Sequence, residues 1–516
     1  MSPRSSAAAA TSPAQLSPGL LLFAPLRLEA RALAPRRSST LVVRTGAGPA
    51  KARSAVAGLR EAVSPEAVAI GGVAGGLRPG IRPGTLVVAD RVIDDEGRTV
   101  AELPSARLLA ANLAHSGVDV EIGTVVSSDR VVHGRAARER LAALGAVAVD
   151  METATILSQP WDCPVAVVRA IADTPERELR SPATLSAGRK ALSSLRAAAP
   201  VLEQWAAAAG DRNVLLAGPR SFCAGVERAI ETVVRALERF GAPVYVRRQI
   251  VHNKHVVEDL EERGAIFVEE LDEVPDGATV VFSAHGVAPS VRAVASQRSM
   301  NVVDATCPLV AKVHHEVHRF ASRGYQIVLI GHRGHDETEG TLGEHDGIVL
   351  IEDEHDVEIL KVDDPEKLAY ITQTTLSPSD VSSLVEALAR RFPKIIGPHA
   401  ADICYATQNR QEAVLSMAAD CDLLVVVGSR NSSNTARLVE VATRAGCRAV
   451  MVDDETDLRL EWLEGARTVG VTAGASAPPV LVDRMVEALS SLGSVRSEER
   501  AVRVENVNFP LPLEVR

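Results

Sequence analysis

Cysteine is scarce in this chain. Six occur among 516 residues (Cys163, Cys223, Cys307, Cys404, Cys421 and Cys447), and no two form a close CxxC pair. This excludes a disulfide scaffold and points to a reducing compartment. Aromatic residues make up only 3%, no basic run interleaves with them, and the net charge is −10. A nucleic-acid partner is therefore not expected. Long apolar runs are missing as well: Leu20–Ala24 is too short for a signal core or a membrane span. The expectation is a cytoplasmic protein with no membrane span. Residues 1–18, rich in Ser, Ala and Pro, read as a disordered tail.

What is present is ample apolar content, 46%, in a chain too long for one core. Residues 19–209 alternate short aliphatic runs with Ala-rich helical stretches and end in a helical segment over 187–209. Gly210-Asp211-Arg212-Asn213 reads as a linker. Beyond it lies a threefold pattern. One set of strand–loop–helix units is VLLAGPRSFCAGVERAI from Val214, IVLIGHRGHDETEGTLG from Ile327 and LLVVVGSRNSSNTARLVEV from Leu423. A second set starts at Val280, Ala369 and Val469. Continuous aliphatic strands followed by helices predict mainly parallel α/β sheets. The predicted subdomains are 212–310, 311–399 and 400–490, with a tail over 491–516. Ligands in such folds sit beyond the carboxyl ends of the strands, and here those ends carry Cys, His, Ser, Thr, Asn and Glu.

Three cysteines fall one per repeat, each at a strand–helix junction: Cys223 in SFCAGV, Cys307 in DATCPLV and Cys404 in DICYAT. Three such thiols meeting at a center could hold an iron–sulfur cluster with one iron left open. Cys163, Cys421 and Cys447 lack polar neighbors and read as small core residues. Structural zinc is disfavored, because no fourth ligand lies nearby in sequence. A non-enzymatic iron–sulfur sensor stays open on the cysteines alone.

The motifs AGPRSFCAGVERAI, VHNKHVV, FSAHGV, DATCPLVAKVH, GHRGHDETEGT, TQTTLS, DICYATQNRQEAV, GSRNSSN and VTAGASAP, in this order, resemble the 4-hydroxy-3-methylbut-2-enyl diphosphate reductase family. The resemblance implies a trefoil of three similar α/β domains around one 4Fe-4S cluster, held by Cys223, Cys307 and Cys404 and open at its fourth iron. It implies a diphosphate pocket of His252, His285, Ser432, Ser433, Asn434 and Ser476. It implies a proton relay of Glu337 with Thr374 and His335, and Gln373 is expected to orient Glu337. The implied reaction is reductive dehydroxylation of the allylic diphosphate to isopentenyl and dimethylallyl diphosphate, the last step of the methylerythritol phosphate route, with ferredoxin or flavodoxin as electron donor. Two positions depart from the family: Ser221 stands where Gly is common, and Asp336 where Pro is common.

In the first half, VVRTGAGPAKA, AIGGVAGGLRPGIRPGTLVVADRV, VDMETATIL and VVRAIADTPE resemble the nucleoside phosphorylase and nucleosidase superfamily. TGAGPAKA is a Gly-rich turn opening a helix, suited to phosphate or ribose. The resemblance implies that Met151 and Glu152 contact ribose and that Asp173 protonates a purine nitrogen. Glu29 is a further candidate pocket carboxylate. Two readings stay open: glycosidic cleavage of a nucleoside, with adenosyl-hopanoid intermediates as one candidate class, and an inactive domain kept for homo-oligomerization.

Overall fold

A computed structural model describes residues 16–175 and 184–516. Most of the expected N-terminal tail lies outside the described residues, whereas Leu16 is placed and bridges to Val63. The chain divides into two compact units. The first comprises residues 1–212, 455–467 and 486–496, and the second comprises 213–454, 468–485 and 497–516. Segments that the sequence assigns to the third subdomain and the tail thus belong with the first unit. Asn112 shows why for one of them: its side-chain amide donates to Leu458 O and accepts from the Leu460 amide, satisfying a buried polar group. Residues 210–213 are likewise no free linker. The Gly210 N–H donates to Leu492 O, and the Arg212 N–H to Ser494 O.

The first unit is built on one eight-stranded sheet. Its strand Val165–Asp173 pairs with both Ala67–Gly76 and Leu86–Asp94. These connect through Ala146–Asp150 and Val120–Ser127, so five strands close into a ring. Closure removes two exposed edges. The long helix Thr184–Ala207 follows the last of these strands.

The second unit holds three sheets. The strands Val244–Arg247, Ala265–Val268, Thr279–Phe282 and Asn301–Asp304 form one. The strands Gln326–Ile330, Val349–Ile351 and Leu368–Thr372 form the next. The third has five strands: Leu423–Val427, Ala449–Val452, Thr468–Ala473, Arg212–Gly218 and Val495–Ala501. Pairings inside the first two sheets, and those joining the first four strands of the third, are parallel. The run LLVVV at Leu423–Val427 is buried throughout, as a strand covered on both faces must be. Each such aliphatic side chain contributes about 1.5–3 kcal/mol by leaving water. One pairing differs from the repeat pattern. The strand from Val214, read as opening the first repeat, pairs instead with Thr468–Ala473 of the third. Its aliphatic residues fit any of the three parallel cores equally, and tertiary packing makes the choice.

Candidate active site

Each of the three motif cysteines immediately precedes a helix: Ala224–Phe240 after Cys223, Pro308–Ala321 after Cys307, and Tyr405–Ala418 after Cys404. The free amides and dipole of a helix start favor an anionic sulfur there. The Ala406 N–H donates to Cys404 Sγ at 3.3 Å. All three residues line one cavity of about 100 Å³. Burial pushes the Cys307 thiol up to about 11 and the Cys404 thiol up to about 12, and the neighboring thiols add to both shifts. Two buried thiols raised in this way become thiolates readily only beside strong positive charge, which a metal cluster would provide. Gly225 leaves room for them: a Cβ there would lie 2.7 Å from Cys307 Sγ and 3.8 Å from Cys223 Sγ. The donor set and this cradle fit an iron–sulfur cluster. Gly225→Ala should therefore lower iron and sulfide content well below that of wild type at unchanged protein yield. Full occupancy in that variant would show that the cradle is not needed. Cys163, Cys421 and Cys447 pack against aliphatic cores instead.

On one wall, Glu337 lies in the first turn of helix Asp336–Leu342 and is only 2% exposed. The Thr374 N–H donates to Glu337 Oε1 at 2.7 Å and the Thr374 hydroxyl to Oε2 at 3.0 Å. Burial pushes the carboxyl up to about 7, against the opposing effect of the two Thr374 bonds. His335 caps the same helix, and its Nδ1 accepts the Glu337 N–H. Among the described residues, Gln373 makes no hydrogen bond to Glu337, contrary to expectation. It accepts from the His332 amide and donates to Thr375 Oγ1, which in turn donates to Ser433 Oγ at 2.9 Å. Thr375 and Thr407 also line the cavity. Neither was singled out from the sequence, although Thr375 adjoins Thr374 in TQTTLS and Thr407 follows Cys404 in DICYAT.

The polar set lines the same cavity, and the Thr375–Ser433 bond joins it to the Glu337 side. Helix Ser433–Arg444 starts here, with Ser432 as its cap. Asn434 accepts from the Ala475 amide, and the Ser476 hydroxyl donates to His252 O. His252 and His285 stack at 4.2 Å between centroids, with His335 edge-on to both. Burial lowers all three histidines, His285 well below its ordinary value and His335 to about 4. They are therefore neutral near pH 7 and offer hydrogen bonds rather than charge. No Lys or Arg is among the residues lining this cavity. The polar groups this set offers are therefore hydroxyls, amides and imidazoles beside a helix start.

The first unit has its own cavity, about 210 Å³, lined by Glu29, Met151, Glu152 and Asp173 among others. The Gly48 N–H, at the start of helix Pro49–Val56, donates to Glu152 Oε1 at 2.7 Å. The protein's own carboxylate thus accepts the free amide at this helix start. Burial raises both Glu29 and Glu152. Asp173 is ion-paired with Arg138 inside the fold. That pair must loosen before Asp173 can act as an acid.

These features define a two-unit α/β protein, one unit with a carboxylate-lined cavity and the other with three thiols, a buried acid and a hydroxyl- and imidazole-rich set lining one cavity. Residues 214–490 match the LytB protein family, and the chain belongs to that family. Residues 37–203 match the Phosphorylase superfamily. The chain is 55% identical over 309 residues to 4-hydroxy-3-methylbut-2-enyl diphosphate reductase of Ectopseudomonas mendocina, covering 59% of this chain and 98% of that one. It is 59% identical over 308 residues to the enzyme of the same name from Aromatoleum aromaticum, with the same coverage. Among solved structures, the E-1-hydroxy-2-methyl-but-2-enyl-4-diphosphate reductase of Plasmodium falciparum superposes with a TM-score of 0.57 at 38% identity, covering 59% of this chain and 96% of that one. Membership implies an iron–sulfur cluster. No described helix is long and apolar enough to cross a membrane.

Proposed function

We propose that the second unit reductively removes the hydroxyl of (E)-4-hydroxy-3-methylbut-2-enyl diphosphate, giving isopentenyl and dimethylallyl diphosphate. The observation that carries this reading is one cavity lined together by Cys223, Cys307, Cys404, Glu337 and the Ser432-Ser433-Asn434 helix start. The three cysteines would hold one 4Fe-4S cluster with an open iron, which supplies Lewis acidity toward the hydroxyl and a route for two electrons. Ser432, Ser433, Asn434, Ser476, His252 and His285 bind the diphosphate and fix the carbon chain along the cavity. Glu337, whose carboxyl burial pushes up to about 7, gives its proton to the departing oxygen, and the Thr374 hydroxyl and amide receive the resulting carboxylate. The small, largely apolar remainder of the cavity excludes bulk water. A low-potential ferredoxin or flavodoxin is the expected donor. The test is anaerobic turnover of the allylic diphosphate with a low-potential reductant. A protein that carries iron and sulfide but yields neither product would be a sensor, not a reductase.

For the first unit we infer nucleoside binding, with Glu152 at the ribose and Asp173 toward the base, and glycosidic cleavage as its activity. The cavity and its carboxylates support this. Adenine release from an adenosine-type nucleoside should fall by about 10²-fold or more in Asp173→Asn. Release unchanged from wild type would remove Asp173 from the reaction. Absence of release in both proteins would leave the inactive oligomerization domain as the better account.

A further inference from the structure

Arg410 is 0% exposed, yet it lies outside the diphosphate pocket and has no place in the proton relay. It sits on helix Tyr405–Ala418, whose cap is Cys404. Its guanidinium reaches three separate segments. Nε and Nη2 donate to Ser221 O at 3.1 and 2.6 Å, and Nη2 donates to Phe222 O at 3.1 Å. Nη1 donates to Ala406 O at 3.0 Å and to Glu505 Oε1 at 3.1 Å. Asn409 Nδ2 adds a 3.0 Å bond to the same carboxylate oxygen.

The first segment is unusual. Ser221 has φ 61°, a left-handed conformation that a non-glycine residue adopts only under constraint. Its hydroxyl is buried without a partner. The turn it makes leads through Phe222 directly to Cys223. Left alone, a serine here would relax toward a negative φ and re-aim the cysteine that follows. Arg410 takes both carbonyls of the turn and ties them to the first turn of the Cys404 helix. Glu505, on the C-terminal segment, balances the buried charge.

We propose that Arg410, with Glu505 as its counter-ion, is a positioning residue for the metal center: it holds the strained Ser221–Phe222 turn so that Cys223 and Cys404 stay in register with Cys307. The proposal rests on the assignment of these three cysteines as cluster ligands. A planar guanidinium is needed, because one group must serve carbonyls of two segments and a carboxylate at once.

The test is the rate of iron release to a chelator, measured anaerobically on the reconstituted full chain with thermal unfolding as a fold control. Arg410→Gln should release iron about tenfold faster or more, the factor expected for one lost charge-assisted bond at the turn. Ser221→Gly alone should release it no faster than wild type, since glycine takes a positive φ freely. The double variant Arg410→Gln, Ser221→Gly should recover most of the loss. A role in packing alone predicts no such rescue, so fast release from both the single and the double variant overturns the proposal. Release from Arg410→Gln at the wild-type rate overturns it too. Should Arg410→Gln fail to fold, Glu505→Gln decides. It should raise the rate by about threefold through weaker anchoring of the guanidinium, and a wild-type rate there overturns the proposal. If all variants and wild type bind no iron at all, the ligand assignment itself falls, a result distinct from either of these.

Discussion

Cys307→Ser should fold, contain little iron or sulfide after anaerobic reconstitution, and turn over no allylic diphosphate. Cys307 is held firmly: its N–H donates to Ala284 O at 2.9 Å, and the helix it precedes begins at Pro308. Serine preserves the size and the backbone and replaces a soft sulfur donor with a hard oxygen. The fold should therefore be spared while one of the three sulfurs proposed to hold the cluster is lost. Cys421→Ser is the control. That residue packs against the aliphatic core of Leu424, Val426 and Met417. Its loss should cost about 1 kcal/mol of stability and leave iron content untouched. Wild-type iron and sulfide in Cys307→Ser would refute the ligand assignment.

Glu337→Gln should lower kcat by about 10²- to 10⁴-fold, the usual worth of a positioned proton donor, with little change in KM. The amide keeps the shape and can still pair with Thr374, but it has no acidic proton to give. The pH profile makes the role specific. With its carboxyl pushed up to about 7 by burial, Glu337 is protonated below that pH. Turnover should hold on the acid side and decline as pH rises through about 7. The same group makes a contribution to stability that is fully present below its unfolded value of 4.5 and is lost as pH rises through about 7. Thr374→Val removes a hydroxyl that favors the ionized form, so its alkaline limb should move to higher pH. A profile identical in wild type and Thr374→Val would separate the limb from Glu337.

Much of this arrangement is legible in the sequence because strand ends announce themselves. SFC-AGV, TC-PLV and IC-YAT each put cysteine just ahead of a helical pattern, and NSSN opens another. Local grammar of this kind, an aliphatic run, a polar turn and a helix start, needs no long-range information. Strand partners do need it. Nothing in VLLAG distinguishes a place beside Val280 from one beside Val469. Arg410 is hidden for the same reason. In QNRQEAV it reads as an ordinary helical arginine, and its bonds to Ser221 and Glu505 span most of the reductase half. Gln373 shows the converse error: it is expected to orient Glu337, yet just past the strand end its side chain bonds His332 and Thr375 instead.

The shared third sheet has a consequence for biogenesis. The strand Arg212–Gly218, which delivers Cys223, leaves the ribosome early, but its parallel neighbor Thr468–Ala473 is among the last to appear. Until that neighbor docks, one of the three sulfurs has no fixed address. With Cys223 as a proposed ligand, a nascent chain stalled ahead of Thr468 should be refractory to iron loading, and the full chain should not be.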